Sequence, residues 1–205
     1  MDKEIRAFVF EIRAEENEEH GHHLTGQPIV YNERTNMGFY DEIIDDGALT
    51  DTDLTDVRFL VNHNTDMIPL ARSRNNNTNS TMQLEVVPGA GLDIRVDLDT
   101  ENNADARSLW SAVGRGDISG MSFMFVADED SWEELDSEHP TRHIRSIRKV
   151  FEVSAVTFPA YSATSIQQRG LSDALESVRK SLESAKAAAR EIERRKQKIR
   201  ILSEV

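Results

Sequence analysis

Cysteine is absent from this 205-residue chain. Its absence removes disulfide frameworks, cysteine-ligated zinc and every thiol nucleophile in one step, and it fits a reducing compartment. Long apolar runs are missing as well. Nothing approaches the ~18 consecutive apolar residues of a membrane-spanning helix. The opening residues, MDKEIRAFVFEIRAEE, carry too much charge for a secretory signal. Positive charge is the third shortage: 24 basic side chains face 37 acidic ones, a net charge of −13. A surface of that sign repels phosphate backbones. Together these shortages predict a soluble protein with no membrane and no nucleic-acid partner. What is present is 38% hydrophobic, enough for one core and some surplus, since a domain holds about 100–150 residues.

The charge changes sign along the chain. Residues 1–165 hold 31 acids and 14 bases, whereas residues 166–205 hold 6 acids and 10 bases. That switch divides the chain into an acidic domain, 1–165, and a basic tail, 166–205. The tail reads as one amphipathic helix capped by Ser172. Its apolar seam runs through Leu171, Leu175, Val178, Leu182, Ala185, Ala189, Ile192 and Ile199, and Lys196 interrupts it. So narrow a stripe calls for a partner: its own domain, a second copy of the chain, or another helical protein.

The acidic block is strand-rich. Strand patterns occupy residues 5–13, 23–31, 57–62, 82–87, 92–98, 118–127 and 143–158. Helices are expected at 104–113, where Ala106, Leu109, Trp110 and Val113 share a face, and briefly at 40–44. Residues 75–80 and 128–139 read as polar loops. The expected class is mainly β with peripheral helices, a β-barrel or sandwich with helices outside it.

Three strands carry reactive groups. In VRFLVNHN, alternation puts Val57, Phe59, Val61 and His63 on one face, so an imidazole ends an apolar row. There it can serve as a general base near neutral pH, or simply bond a loop carbonyl. In ISGMSFMFV, Gly120 leaves open space on the face that bears Ser122. In FEVSAVTF, Glu152 is the one carboxylate in an apolar run. A buried carboxylate needs a partner, either a histidine or an arginine such as Arg145 or Arg148. A serine, a histidine and an acid on three core strands are the inventory of a nucleophile, its base and the group that orients the base. A G-x-S-x-G elbow is lacking, which argues against an α/β-hydrolase.

These residues, with two further motifs, carry a resemblance. Residues 25–32 (TGQPIVYN) lead to Glu42-Ile43-Ile44 and Asp46-Gly47-Ala48-Leu49. The latter are similar to an E-x-I-x-P-G-A-F motif with Asp46 where proline is usual. The box Asn62-His63-Asn64 follows, then GDISGMSFMF at 116–125 and FEVSAVTFPAY at 151–161. In this order, over about residues 5–165, the chain resembles the prohead serine proteases of tailed bacteriophages, relatives in fold of the herpesvirus assemblins. The resemblance implies an assemblin-like β-barrel ringed by a few helices. It also implies Ser122 as nucleophile, His63 as base and Glu152 as the acidic third member. Ser119 is the competing serine and His143 the competing third member. No cofactor and no metal are implied. The implied activity is an endopeptidase acting inside the procapsid, in the host cytoplasm, on the scaffolding region of the major capsid protein and on itself. A homodimer or higher oligomer through the C-terminal helix is compatible with that family. A different class of function is a catalytically silent scaffold module working through the helix. His20-Gly21-His22-His23 has the ligand types of a zinc or nickel site without a recognisable spacing, and adventitious binding is the expectation there.

Overall fold

The computed structural model describes residues 3–8, 12–18, 21–157 and 169–203. Their strands form two sheets. In the larger, β1 (Glu4–Phe8), β10 (Gly120–Glu133), β11 (Thr141–Val156), β5 (Asp41–Ile44) and β4 (Thr35–Asn36) lie in that order. β11 is long enough to serve two parallel partners, β5 along one half and β6 (Val57–Val61) along the other, and β6 carries β7 (Ala71–Ser73). The smaller sheet runs β2 (Ile12–Asn17), β3 (Gly21–Val30), β9 (Gly91–Asp97), β8 (Met82–Val87). Alternating residues from both sheets fill the core: Phe59, Phe123 and Val153 from the larger, Leu24, Ile29, Leu92 and Val96 from the smaller. Helix α1 (Ala104–Gly114) adds Ala106, Leu109 and Val113. Asn103 caps it, its Oδ1 accepting from the backbone N–H of Asp105 and Ala106 at 2.9 and 3.2 Å.

Several expectations change. The strand expected at 5–13 is two strands in different sheets, because β1 finds its partner in β10 and β2 finds its partner in β3. The segment expected as a short helix at 40–44 holds strand β5 (Asp41–Ile44) instead. β11 offers a parallel edge that pairs Asp41–Ile44 in register with Thr141–Ile144, and tertiary pairing overrides the local preference of so short a segment. Residues 128–133, expected in a loop, extend β10, because a long hairpin with β11 gives their backbone groups partners. The expected barrel is not closed by strand pairing among the described residues. The two sheets are tied where Thr81 N donates to Arg72 O and Arg72 N donates to Thr81 Oγ1, and again where Asn32 N, just past β3, donates to Ile44 O of β5. Glycine is required at one turn: Gly91 has φ +141°, and a Cβ there would run into the Ile29 carbonyl.

The tail is helix α2 (Arg169–Ser203), which begins ahead of Ser172 and so is not capped by it. Val178 is buried, and with Leu182 it packs against Met37, Tyr40 and Trp132. Ile192 and Ile199 on the same seam are 54% and 67% exposed. The side chains of Leu171 and Leu175 lie outside the described residues.

Beneath the docked turns of α2 lies a buried ionic cluster. Arg6, fully buried, donates from Nε to Glu42 Oε1 at 2.5 Å, and from Nη2 to Glu4 Oε2 at 2.6 Å and Glu42 Oε2 at 2.9 Å. Arg142 donates to both Glu4 oxygens, at 2.5 and 3.0 Å, to Glu42 and to Asp130. Ser181 Oγ donates to Glu4 Oε2 at 3.0 Å. Buried charges survive only when this fully paired. Burial alone would raise the Glu4 carboxyl, but the Arg6 charge and the Arg142 hydrogen bond hold it down to about 2.

Removing one member strands the others. Arg142→Leu is expected to lower the unfolding free energy by about 3–5 kcal/mol in urea titrations at pH 7. The Glu4 contribution has a definite pH window. A depressed carboxyl stabilises fully above its unfolded value of 4.5 and ceases to as pH falls toward about 2. Glu4→Gln should therefore flatten the loss of stability across that interval, and an unchanged acid slope would refute the assignment.

Candidate active site

The site is set by register. β10 and β11 are antiparallel with Ser122 opposite Ser154 and Met124 opposite Glu152. β6 runs parallel to β11 with Arg58 beside Glu152 and Leu60 beside Ser154. Paired residues share a face of a sheet. Ser122, Glu152, Ser154 and Leu60 therefore lie on one face, while Phe123, Val153, Ala155 and Phe59 lie on the other and enter the main core.

By simple alternation His63 would belong to the core face with Val57, Phe59 and Val61. It does not, because β6 ends at Val61 and the next two residues adopt left-handed backbone, Asn62 at φ 52° and His63 at φ 55°. Non-glycine residues adopt that region rarely, so two in succession need external ties. The ties are present. Asn62 N donates to Ala155 O at 2.9 Å, Thr157 N donates to Asn62 Oδ1 at 3.0 Å, and Asn62 Nδ2 donates to Thr157 Oγ1 at 3.1 Å. His63 N donates to Ser154 Oγ at 3.1 Å. The turn carries the imidazole across to the face that holds the serine and the acid.

There the ring bridges the two. His63 Nδ1 is 2.5 Å from Glu152 Oε1, and Nε2 is 2.5 Å from Ser122 Oγ. A carboxylate only accepts, so Nδ1 carries the proton and Nε2 presents its lone pair to the hydroxyl. The second Glu152 oxygen accepts from Ser154 Oγ at 2.6 Å. Ser122 and Ser154 are fully buried, Glu152 nearly so, and the His63 side chain is 7% exposed. Ser122 Oγ also lies 2.7 Å from the Arg6 carbonyl, so its single proton has two acceptors within reach. The set can pass a proton from a hydroxyl to an imidazole whose opposite nitrogen is held by a carboxylate, which is the geometry of an activated serine nucleophile.

The competitors lie elsewhere. Ser119 is exposed just ahead of β10. His143 Nδ1 bonds Asp45 Oδ1 at 2.8 Å on the far half of β11. Arg145 donates to Ser131 and Arg148 to Asp128, so neither neutralises Glu152. His22 bonds Thr100 and stacks on Trp110, and His23 bonds the Gly21 carbonyl. His20 lies outside the described residues, and among those described no three His, Asp or Glu side chains are grouped to hold a metal ion. Two components escaped the sequence reading: Ser154, and the Asn62–Thr157 clamp. Ser154 was within reach of it, since the E-x-S spacing in a strand puts both side chains on one face. The clamp had no local signal, because its halves are far apart in sequence.

No helix among the described residues is long and apolar enough to cross a membrane. No curated protein and no solved structure matches the chain. The family model of the caudovirus prohead serine proteases matches residues 9–180, a span that includes His63, Ser122 and Glu152. With more than four fifths of its length matched, the chain belongs to the caudovirus prohead serine protease family, which implies a capsid maturation protease located inside the procapsid.

Proposed function

We propose that Ser122, His63 and Glu152 are the catalytic triad of an endopeptidase that cleaves the scaffolding region of the capsid protein, and itself, during procapsid maturation. The observation that carries this reading is the His63 ring, in hydrogen-bond contact with the serine on one side and the carboxylate on the other. Ser122 Oγ attacks the scissile carbonyl carbon while its proton moves to His63 Nε2. Glu152 holds the resulting imidazolium through Nδ1. The tetrahedral intermediate collapses as the C–N bond breaks, and the departing amine takes the proton from Nε2. Water then attacks the acyl ester, His63 accepts its proton, and the proton returns to Ser122 as the acid product leaves.

The same reading gives the tail a separate task. The family match ends at residue 180, within the turns of α2 that pack on the body. Residues 187–200 are exposed throughout and carry most of the basic charge of the tail. We assign this half of α2 to docking on a helical scaffold segment, which brings the acidic catalytic domain into the assembling shell. Residues 177–182 belong with the domain, because they cover the ionic cluster.

Co-expression with the cognate capsid protein tests the chemistry. Ser122→Ala and His63→Ala should each lower the cleavage rate by about 10⁶-fold and Glu152→Gln by about 10⁴-fold, with little change in KM. Cleavage by Ser122→Ala at the wild-type rate would discard the triad. Deleting residues 187–205 should leave cleavage of free capsid protein intact and abolish incorporation into procapsids. Normal incorporation of the truncated chain would remove the docking assignment.

A further inference from the structure

The catalytic reading uses one oxygen of Glu152 and the ring of His63, yet a fourth side chain touches both residues. Ser154 Oγ is 2.6 Å from Glu152 Oε2 and 3.1 Å from the His63 backbone nitrogen, and Ser154 is fully buried. The direction of each bond follows from chemistry alone. A backbone N–H can only donate, so Ser154 Oγ accepts from His63. An ionised carboxylate can only accept, so the one hydroxyl proton goes to Glu152. The three residues thus close a ring of hydrogen bonds: His63 Nδ1–H to Oε1, Ser154 O–H to Oε2, and His63 N–H to Ser154 Oγ.

We infer that Ser154 is a positioning residue for the reaction, acting through both the acid and the base, and this inference rests on the triad assignment above. Its two contacts address separate problems. The bond to Oε2 fixes the rotation of the Glu152 carboxylate so that Oε1 faces the imidazole, which Glu152 by itself does not do because its last torsion is broad. The bond from His63 N ties down a residue at φ 55°, a left-handed conformation that a non-glycine residue keeps only where its surroundings hold it. Relaxation toward the alternation of β6 would return the imidazole to the core face, away from Ser122. Ser154 sits directly opposite Ser122 in the β10–β11 ladder, so one cross-strand pair supplies the nucleophile and the residue that aims its base.

A fluorophosphonate reagent reads this without knowledge of the cleavage site. The Ser122 oxygen forms a bond to phosphorus, fluoride leaves, and the hydroxyl proton passes to His63, so the labelling rate reports how well the serine is activated. With the purified full chain, wild type should label at Ser122 and Ser122→Ala should not. Failure of that pair of controls would overturn the triad assignment, and the role of Ser154 with it. Given labelling, Ser154→Ala should lower the maximal inactivation rate by tenfold or more, about the worth of one hydrogen bond to a charged group. The reagent concentration for half-maximal rate should stay within about twofold. Ser154→Thr keeps the hydroxyl and should recover most of the rate. Ser154→Val has the shape of threonine without the hydroxyl and should remain as slow as alanine. Labelling of Ser154→Ala at the wild-type rate would overturn the inference. So would equal rates for the threonine and valine variants, because a packing role alone predicts that the two behave alike.

Discussion

The register of three strands is the constraint on which the site depends. Side chains alternate faces along a strand, so a slip of one residue between β10 and β11 would send Ser122 toward the core and leave Glu152 facing an apolar wall. Register is fixed most firmly where one face is buried, and here the core face carries Phe123, Val153 and Phe59, each fully buried. The hydrophobic face of the sheet thereby positions the polar face. The reactive groups need no loop of their own except at His63, where the strand is deliberately ended and turned.

That turn is the point at which strain and chemistry meet. Two successive residues in left-handed backbone are costly for a chain without glycine at those positions. The cost is offset by hydrogen bonds that Asn62 N and His63 N donate to Ala155 O and Ser154 Oγ, and by those exchanged with Thr157, all on the strand that carries Glu152 or just beyond its end. Glu152, the clamp and the ladder partner of Ser122 therefore come from one stretch of chain. β11 lies between β10 and β6 along this stretch, which brings the groups around His63 together.

The buried ionic cluster connects this arrangement to the rest of the molecule. Arg6 is held by Glu4, Glu42 and the docked turns of α2, and the carbonyl of the same residue contacts the Ser122 hydroxyl. Strand β1 is thus fixed on one side by charge and on the other by pairing with β10. The acidic excess seen in the composition contributes to this directly. Two of its carboxylates, Glu4 and Glu42, surround arginines in the interior, where an unpaired guanidinium could not remain.

Local sequence determined the strands with strong alternation, the helix at Ala104–Gly114, the basic tail helix, and the three residue types of the site, because each depends on the periodicity and chemistry of neighbouring residues. The strand at Asp41–Ile44 and the outer half of β10 were not legible. Their partners lie about a hundred residues away or on the opposite arm of a long hairpin, and short segments take the structure their partners offer. The face of His63 was misread for a related reason: alternation holds only while the strand continues, and nothing within VRFLVNHN announces a left-handed pair stabilised from Ser154 and Thr157. The sequence by itself determined which groups could do the chemistry. Only the tertiary structure decided that an imidazole, a hydroxyl and a carboxylate would share one face, because that depends on register and on hydrogen bonds between distant strands, which no local pattern encodes.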